Sequence, residues 1–123
     1  MSGKKKILLI DDDEAVVSYL LVKLSKYYDL VSTSNPHEAV GLAQAEQPDL
    51  ILCDIDMPDM SGGDVALALT DNPETAFIPM LYLTALVSPQ EAHDLDGQVG
   101  GRPGISKRAP LAELLQRIDA LAR

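Results

Sequence analysis

Short apolar runs alternate with helical patterns along the 123 residues of the chain. The runs are Ile7–Ile10, Leu30–Val31, Leu50–Cys53, Met80–Leu83 and a weaker one around Ile105. They are continuous rather than alternating, which marks strands buried on both faces, as in a parallel sheet. Each helical stretch between them carries a start signal. Asp13 and Glu14 precede the stripe Val16, Val17, Leu20, Leu21 and Leu24, placing acid at the positive end of a helix. Asn35-Pro36 with Glu38 supplies a cap, a first-turn proline and an acid at the third position. Ser61 with Asp64 reads as a capping box. Ser88-Pro89 with Glu91 opens a fourth helix, and Pro110 a fifth with Leu111, Leu114, Leu115, Ile118 and Leu121 on one face. The fourth runs into Gly97, Gly100, Gly101, Pro103 and Gly104. Each glycine costs about 1 kcal/mol against alanine in a helix, so this one is expected to be short or mobile.

Five strands and five helices in strict alternation predict an α/β fold. The chain length suits a doubly wound five-stranded parallel sheet of order 2-1-3-4-5, with helices on both faces. Residues 1–123 read as a single domain, with no repeat or internal linker.

Composition narrows the function. Hydrophobic residues make up 46% of the chain, enough for a packed core. Nineteen acidic against ten basic residues leave a formal net charge of −9. That argues against direct nucleic-acid binding, which needs clustered Lys and Arg, and favours a cationic partner or a metal ion. Cys53 is the only cysteine, so no internal disulfide forms and a reducing compartment is the simple reading. The apolar run after Lys4-Lys5-Lys6 is too short for a signal peptide or a membrane span. The chain therefore reads as soluble and cytoplasmic, with the lysines a solvated lead-in to a strand.

Candidate chemistry follows from the fold. In an open α/β sheet, ligands bind beyond the carboxyl ends of the strands at the switch point. Asp11, Asp12 and Asp13 follow the first run, Asp54 and Asp56 the third, Thr84 the fourth and Lys107 the fifth. The strand order brings them to one shallow pocket. Crowded carboxylates repel unless a cation joins them, and an oxygen-rich open site suits magnesium. A phosphoryl group needs a metal and a fixed cation to balance its charge, and a central carboxylate is a natural nucleophile for it.

The stretches Ile7-Leu8-Leu9-Ile10-Asp11-Asp12-Asp13, Pro48 to Gly62, and Ile78-Pro79-Met80-Leu81-Tyr82-Leu83-Thr84-Ala85 resemble, in order and spacing, the receiver domain of two-component response regulators. The resemblance covers essentially the whole chain and implies a flavodoxin-like fold. It implies that Asp54 is phosphorylated, that Asp12 binds magnesium directly, and that Asp11 holds it through water or assists. Asp56 would offer its backbone carbonyl to the metal. Thr84 would bind a phosphoryl oxygen, Ala85 would leave room for the group, and Lys107 would pair with it or with Asp54. The implied donor is a phosphohistidine on a sensor histidine kinase or phosphotransfer protein, and the implied target a downstream protein or effector domain. Dimerisation through the fourth helix, fifth strand and fifth helix is open to such a chain.

Two positions depart from the family pattern. Gly104 stands where an aromatic switch residue is usual. Arg108 stands where the lysine is usually followed by proline, often in a cis bond, which a non-proline residue makes at a cost of about 2.5–4 kcal/mol. These departures motivate a second reading, a phosphorylation-independent interaction module on the same fold. A third is a phosphohydrolase of the haloacid-dehalogenase type, which also uses an Asp-x-Asp motif. There the motif follows the first strand, whereas Asp54-Ile55-Asp56 follows the third and runs into Met57-Pro58. His37 and His93 lack metal-ligand spacing, Asp59 reads as a solvated loop residue, Gly62 and Gly63 as turn glycines, and Tyr27 and Tyr28 as packing residues ending the first helix.

Overall fold

The computed structural model describes residues 3–85, 98–99 and 102–123. Its strands are β1 (Lys6–Ile10), β2 (Asp29–Thr33), β3 (Leu50–Asp54), β4 (Met80–Thr84), β5 (Gln98–Val99) and β6 (Arg102–Ser106). The sheet order is β2-β1-β3-β4-β6-β5. All neighbours pair in parallel except β5, which runs antiparallel to β6. The expected order 2-1-3-4-5 is therefore present, with β6 in the fifth place and a two-residue strand added at the edge. The expected fourth helix at Ser88-Pro89 with Glu91 lies outside the described residues, as do His93, Gly97, Gly100 and Gly101.

Four helices are described: α1 (Glu14–Leu24), α2 (Ala39–Glu46), α3 (Gly62–Thr70) and α4 (Leu111–Leu121), the last being the expected fifth helix. Their starts follow the sequence signals. The Asp13 side chain accepts from the Ala15 and Val16 N–H groups at the head of α1. Asn35 caps a 3-10 turn at Pro36–Glu38 that leads into α2. Ser61 and Asp64 form a reciprocal capping box on α3. Gly62 and Gly63 are thus the first helical residues rather than turn glycines. Gly62 is needed for space: a Cβ there would lie 2.7 Å from both the Asp54 carbonyl oxygen and Ile55 Cα.

The pleat of the sheet divides the core into two slabs. Ile7, Leu9, Leu50, Leu52, Leu81, Leu83 and Ile105 face α1 and α4. Leu8, Ile10, Ile51, Cys53, Met80 and Tyr82 face α2 and α3. Both faces are covered, which is why the strands read as unbroken apolar runs. Register aligns the strand ends, with Ile10 opposite Cys53, Asp54 opposite Leu83 and Thr84 opposite Ser106.

Helix α1 stops at Leu24, four residues before Tyr28, so the tyrosines lie in the turn beyond it. Tyr27 is exposed, while Tyr28 is buried and its hydroxyl donates to Asp119 Oδ1 at 2.6 Å. Burial first, then Asp119, pushes the Tyr28 pKa up. The bond ties the α1–β2 turn to α4 across the domain. Tyr28→Phe should cost about 1–2 kcal/mol in urea unfolding, with the slope of the transition unchanged.

Candidate functional site

Asp11 follows β1 and is fully buried; its N–H donates to the Thr33 carbonyl at 3.3 Å, prolonging the β1–β2 ladder by one bond. Its Oδ1 accepts from the Asp13 N–H at 3.0 Å. The three consecutive aspartates thus divide their work. Asp13 caps the helix, Asp11 lines the interior of the site, and Asp12 stands more openly between them.

Asp54 ends β3 and is 4% exposed. Its Oδ1 accepts from the Asp56 N–H at 3.2 Å, and the Ile55 N–H continues the ladder to the Leu83 carbonyl at 3.0 Å. On the far side of the site, β6 delivers Lys107. The Lys107 N–H donates to the Thr84 carbonyl at 2.9 Å, and the Ser106 hydroxyl accepts from the Arg108 N–H at 3.1 Å. The lysine Nζ then lies 2.8 Å from Asp11 Oδ2 and 3.3 Å from Asp54 Oδ2. No cis peptide occurs among the described residues, so Lys107 reaches both carboxylates with Arg108 behind it in a trans linkage.

Two carboxylates, Asp11 and Asp54, share one ammonium. Burial is the main cause that pushes the Asp54 carboxyl up to about 6. The Asp56 N–H and Lys107 pull it down, and the charge of Asp11 pushes it further up. Burial works against the Lys107 charge, but its contacts with Asp11 and then Asp54 outweigh it, leaving its pKa above the ordinary lysine value. The Cys53 thiol donates to the Asp54 carbonyl at 3.3 Å, and burial with the Asp54 and Asp11 charges pushes it well up.

Carboxylate oxygens of Asp11, Asp12 and Asp54 all lie within 4.8 Å of one another. Asp11 Oδ2 is buried and, among the described residues, has the Lys107 charge beside it but no aligned hydrogen-bond donor. An all-oxygen set with surplus negative charge and an unsatisfied lone pair fits a hard divalent cation. Thr84 is buried at the end of β4, one residue beyond the register partner of Asp54, and exposed Ala85 follows it. A polar cleft of about 310 Å³ opens beside Asp12, walled by Asn35, His37, Met57, Pro58 and Asp59. His37 and Asp59 are surface residues, as expected, yet they border this cleft. Sequence reasoning missed Ser106, whose hydroxyl fixes the turn carrying Lys107, and the contact role of Gly62. Neither residue type carries a spacing signal of its own.

The family model for the response regulator receiver domain matches residues 7–119. The response regulator PleD of Caulobacter vibrioides is 40% identical over 82 residues, covering 66% of this chain and 18% of PleD. The polar-differentiation response regulator DivK of Brucella anthropi is 36% identical over 118 residues, covering 94% of each chain. The chain thus spans less than a fifth of the one relative and nearly all of the other. The crystal structure of a response regulator from Desulfuromonas acetoxidans superposes with a TM-score of 0.76 at 31% identity, again over 94% of each chain.

The raised Asp54 pKa fixes a sign for stability. Between pH about 4 and 6 the folded chain holds a proton that the unfolded chain, at the ordinary value of 3.8, releases. Stability is therefore lost as pH rises through that window. Without divalent ions, Asp54→Asn should raise stability above pH 6 by up to about 3 kcal/mol, and the gain should vanish below pH about 4. Urea titrations of both proteins across this range measure it.

Proposed function

Because the chain belongs to the family of response regulator receiver domains, we propose that it accepts a phosphoryl group on Asp54 with magnesium bound, and that the modified form changes its hold on a partner. The observation that carries this reading is the placement of Lys107, which reaches both Asp11 and Asp54 from a strand two places away from β3 and three from β1 in the sheet. A lysine drawn in among buried carboxylates marks a strongly anionic pocket, and its ammonium is in position to pair with a phosphoryl oxygen carried on Asp54.

Each residue has a role in this reading. Asp11 and Asp12, with Asp54 and the backbone carbonyl of Asp56, hold magnesium. When bound, the ion supplies charge neutralisation for the carboxylates and the incoming phosphoryl oxygens. An Asp54 carboxylate oxygen attacks the phosphorus of a phosphohistidine; the new O–P bond forms as the P–N bond breaks, and the proton needed by the leaving imidazole comes from the donor's side or water. The Asp56 N–H keeps the other Asp54 oxygen in place. Lys107 turns its ammonium toward the phosphoryl group, and the Thr84 hydroxyl donates to another of its oxygens. Ala85 leaves the entry open. Attack of water on phosphorus later forms a new O–P bond as the Asp54 O–P bond breaks, releasing inorganic phosphate and restoring the carboxylate.

On this reading residues 1–123 form one receiver domain that assists its own phosphorylation and dephosphorylation but turns over no substrate as an enzyme. Its partners are a sensor histidine kinase or phosphotransfer protein upstream and a protein or effector domain downstream. Cytoplasmic residence belongs to the same proposal; no helix among the described residues is long and apolar enough to cross a membrane. The rival reading as a phosphorylation-independent module loses one of its two motives, since Lys107 is in reach of both carboxylates despite Arg108. Gly104 remains its other motive. The phosphohydrolase reading is disfavoured by the position of Asp54 at the end of β3.

Incubation with acetyl phosphate and magnesium should add one phosphoryl mass to the intact chain. The gain should be absent in Asp54→Ala and in wild type treated with a chelator. An unmodified wild-type mass with magnesium present would overturn the reading.

A further inference from the structure

Helices α1 and α4 cover one face of the sheet, packed in the slab that holds Leu20, Leu83 and Leu114. Protein interiors are close-packed, with few voids larger than a water molecule. A groove of about 220 Å³ nevertheless runs between these two helices. Two small residues border it, Ala15 in the first turn of α1 and Ala109 just ahead of α4. Its α1 wall is a stripe at helical spacing, with Ala15, Tyr19 and Lys23 in one row and Val16 and Leu20 in the next. Eight residues of α-helix rise about 12 Å, so the groove is elongated. Leu83, Leu111 and Leu114 form the wall opposite.

The two ends of the groove differ. Helix α1 begins three residues after Asp11, which Lys107 touches, so Ser106 and Lys107 stand at the Ala15 end. The Lys107 charge is already shared between Asp11 and Asp54, and those carboxylates would repel another. At the far end Lys23 reaches over the exposed Tyr19 ring, its Nζ 5.7 Å from the centroid. Among the described residues Lys23 forms no ion pair. No described acid lines the groove, although the chain has 19 acidic residues. An apolar trough with an unpaired cation at its outer end is complementary to an apolar chain that ends in an anion. Size narrows the choice. A cavity of about 150 Å³ holds benzene, whereas sites for drug-sized ligands run from about 300 to 1,000 Å³. The groove suits a small, narrow and extended body.

We propose that the groove between α1 and α4 binds a free medium-chain carboxylic acid, its carboxylate at Lys23 and its alkyl tail laid along Leu20 and Leu114 toward Leu83. The site borders the phosphoacceptor pocket at Lys107 but does not depend on the receiver reading. Burial of the tail supplies most of the affinity, and the exposed ion pair adds a small selectivity for the acid. The test uses the whole chain with isotope-labelled leucine methyl groups, free of magnesium and phosphodonor. Sodium octanoate, kept below its micelle concentration, and octanol are titrated in separately while methyl NMR signals are followed. Single Leu→Ile exchanges assign the signals. Those of Leu20, Leu83, Leu111 and Leu114 should move along one saturable curve, while Leu8 in the opposite slab and exposed Leu67 on α3 stay in place. Lys23→Met should weaken octanoate about threefold and leave octanol unchanged. Ala15→Phe, or Ala109→Met if that variant does not fold, should fill the groove and abolish saturation. Shifts that never saturate, or that spread equally to Leu8 and Leu67, overturn the inference. So does octanoate binding that survives a filled groove or is untouched by Lys23→Met. A groove that takes neither probe is left to a partner's side chain, and that outcome overturns the inference as well.

Discussion

Two buried carboxylates at the ends of two adjacent strands are held together by one ammonium, and much else in the molecule serves that arrangement. Asp11 and Asp54 repel across the pocket, and both are almost wholly withdrawn from solvent. Lys107 lies within 3.3 Å of each and makes the cluster tolerable without neutralising it. The position of the lysine depends in turn on the pairing of β6 with β4 and on the turn that Ser106 fastens. The carboxylates depend on β1 lying next to β3. A parallel sheet that points all its strands one way is what lets residues scattered over most of the chain meet at one edge.

The surplus of negative charge is a stored cost. Burial, with the charge of Asp11 added to it, raises the Asp54 pKa, and among the described residues Asp11 Oδ2 has no aligned donor. The fold tolerates that cost because the two aliphatic slabs on either face of the sheet are continuous and well covered. A site poised in this way answers strongly to anything that changes its charge, whether a cation arriving or a carboxylate becoming an acyl phosphate.

Much of this was legible in the sequence, for identifiable reasons. Unbroken runs such as Leu50–Cys53 occur only where both faces of a strand are buried, so strand order and helix placement followed from pattern and length. The caps at Asp13, Asn35 and Ser61 are local chemistry and were equally readable. What could not be read was anything decided by contact at a distance. Asp11, Asp12 and Asp13 are one residue type in a row, and only the fold separates a helix cap from a pocket wall. Gly62 looked like a turn residue because its constraint is a backbone carbonyl eight positions away. The strand β6 read only as a weak run around Ile105 because it opens on Pro103 and Gly104, residues that ordinarily argue against a strand; Arg102 and Pro103 pair with the two-residue β5, and pairing with β4 begins at Gly104. The tyrosine pair read as the end of α1 because nothing local distinguishes a last helical turn from the turn that follows it.

Cys53 gives the domain a property unconnected with signalling. It is the one thiol in the chain, it is fully buried in the central strand, and its proton is held by burial and by the anions around it. An alkylating reagent attacks thiolate, so it can reach this sulfur only in molecules whose central strand has come away from its neighbours. The rate of labelling under native conditions therefore reports how much of the population is open when reclosing is fast, and how often it opens when reagent attack outpaces reclosing. A gauge of sheet opening thus sits in the central strand, one residue from Asp54.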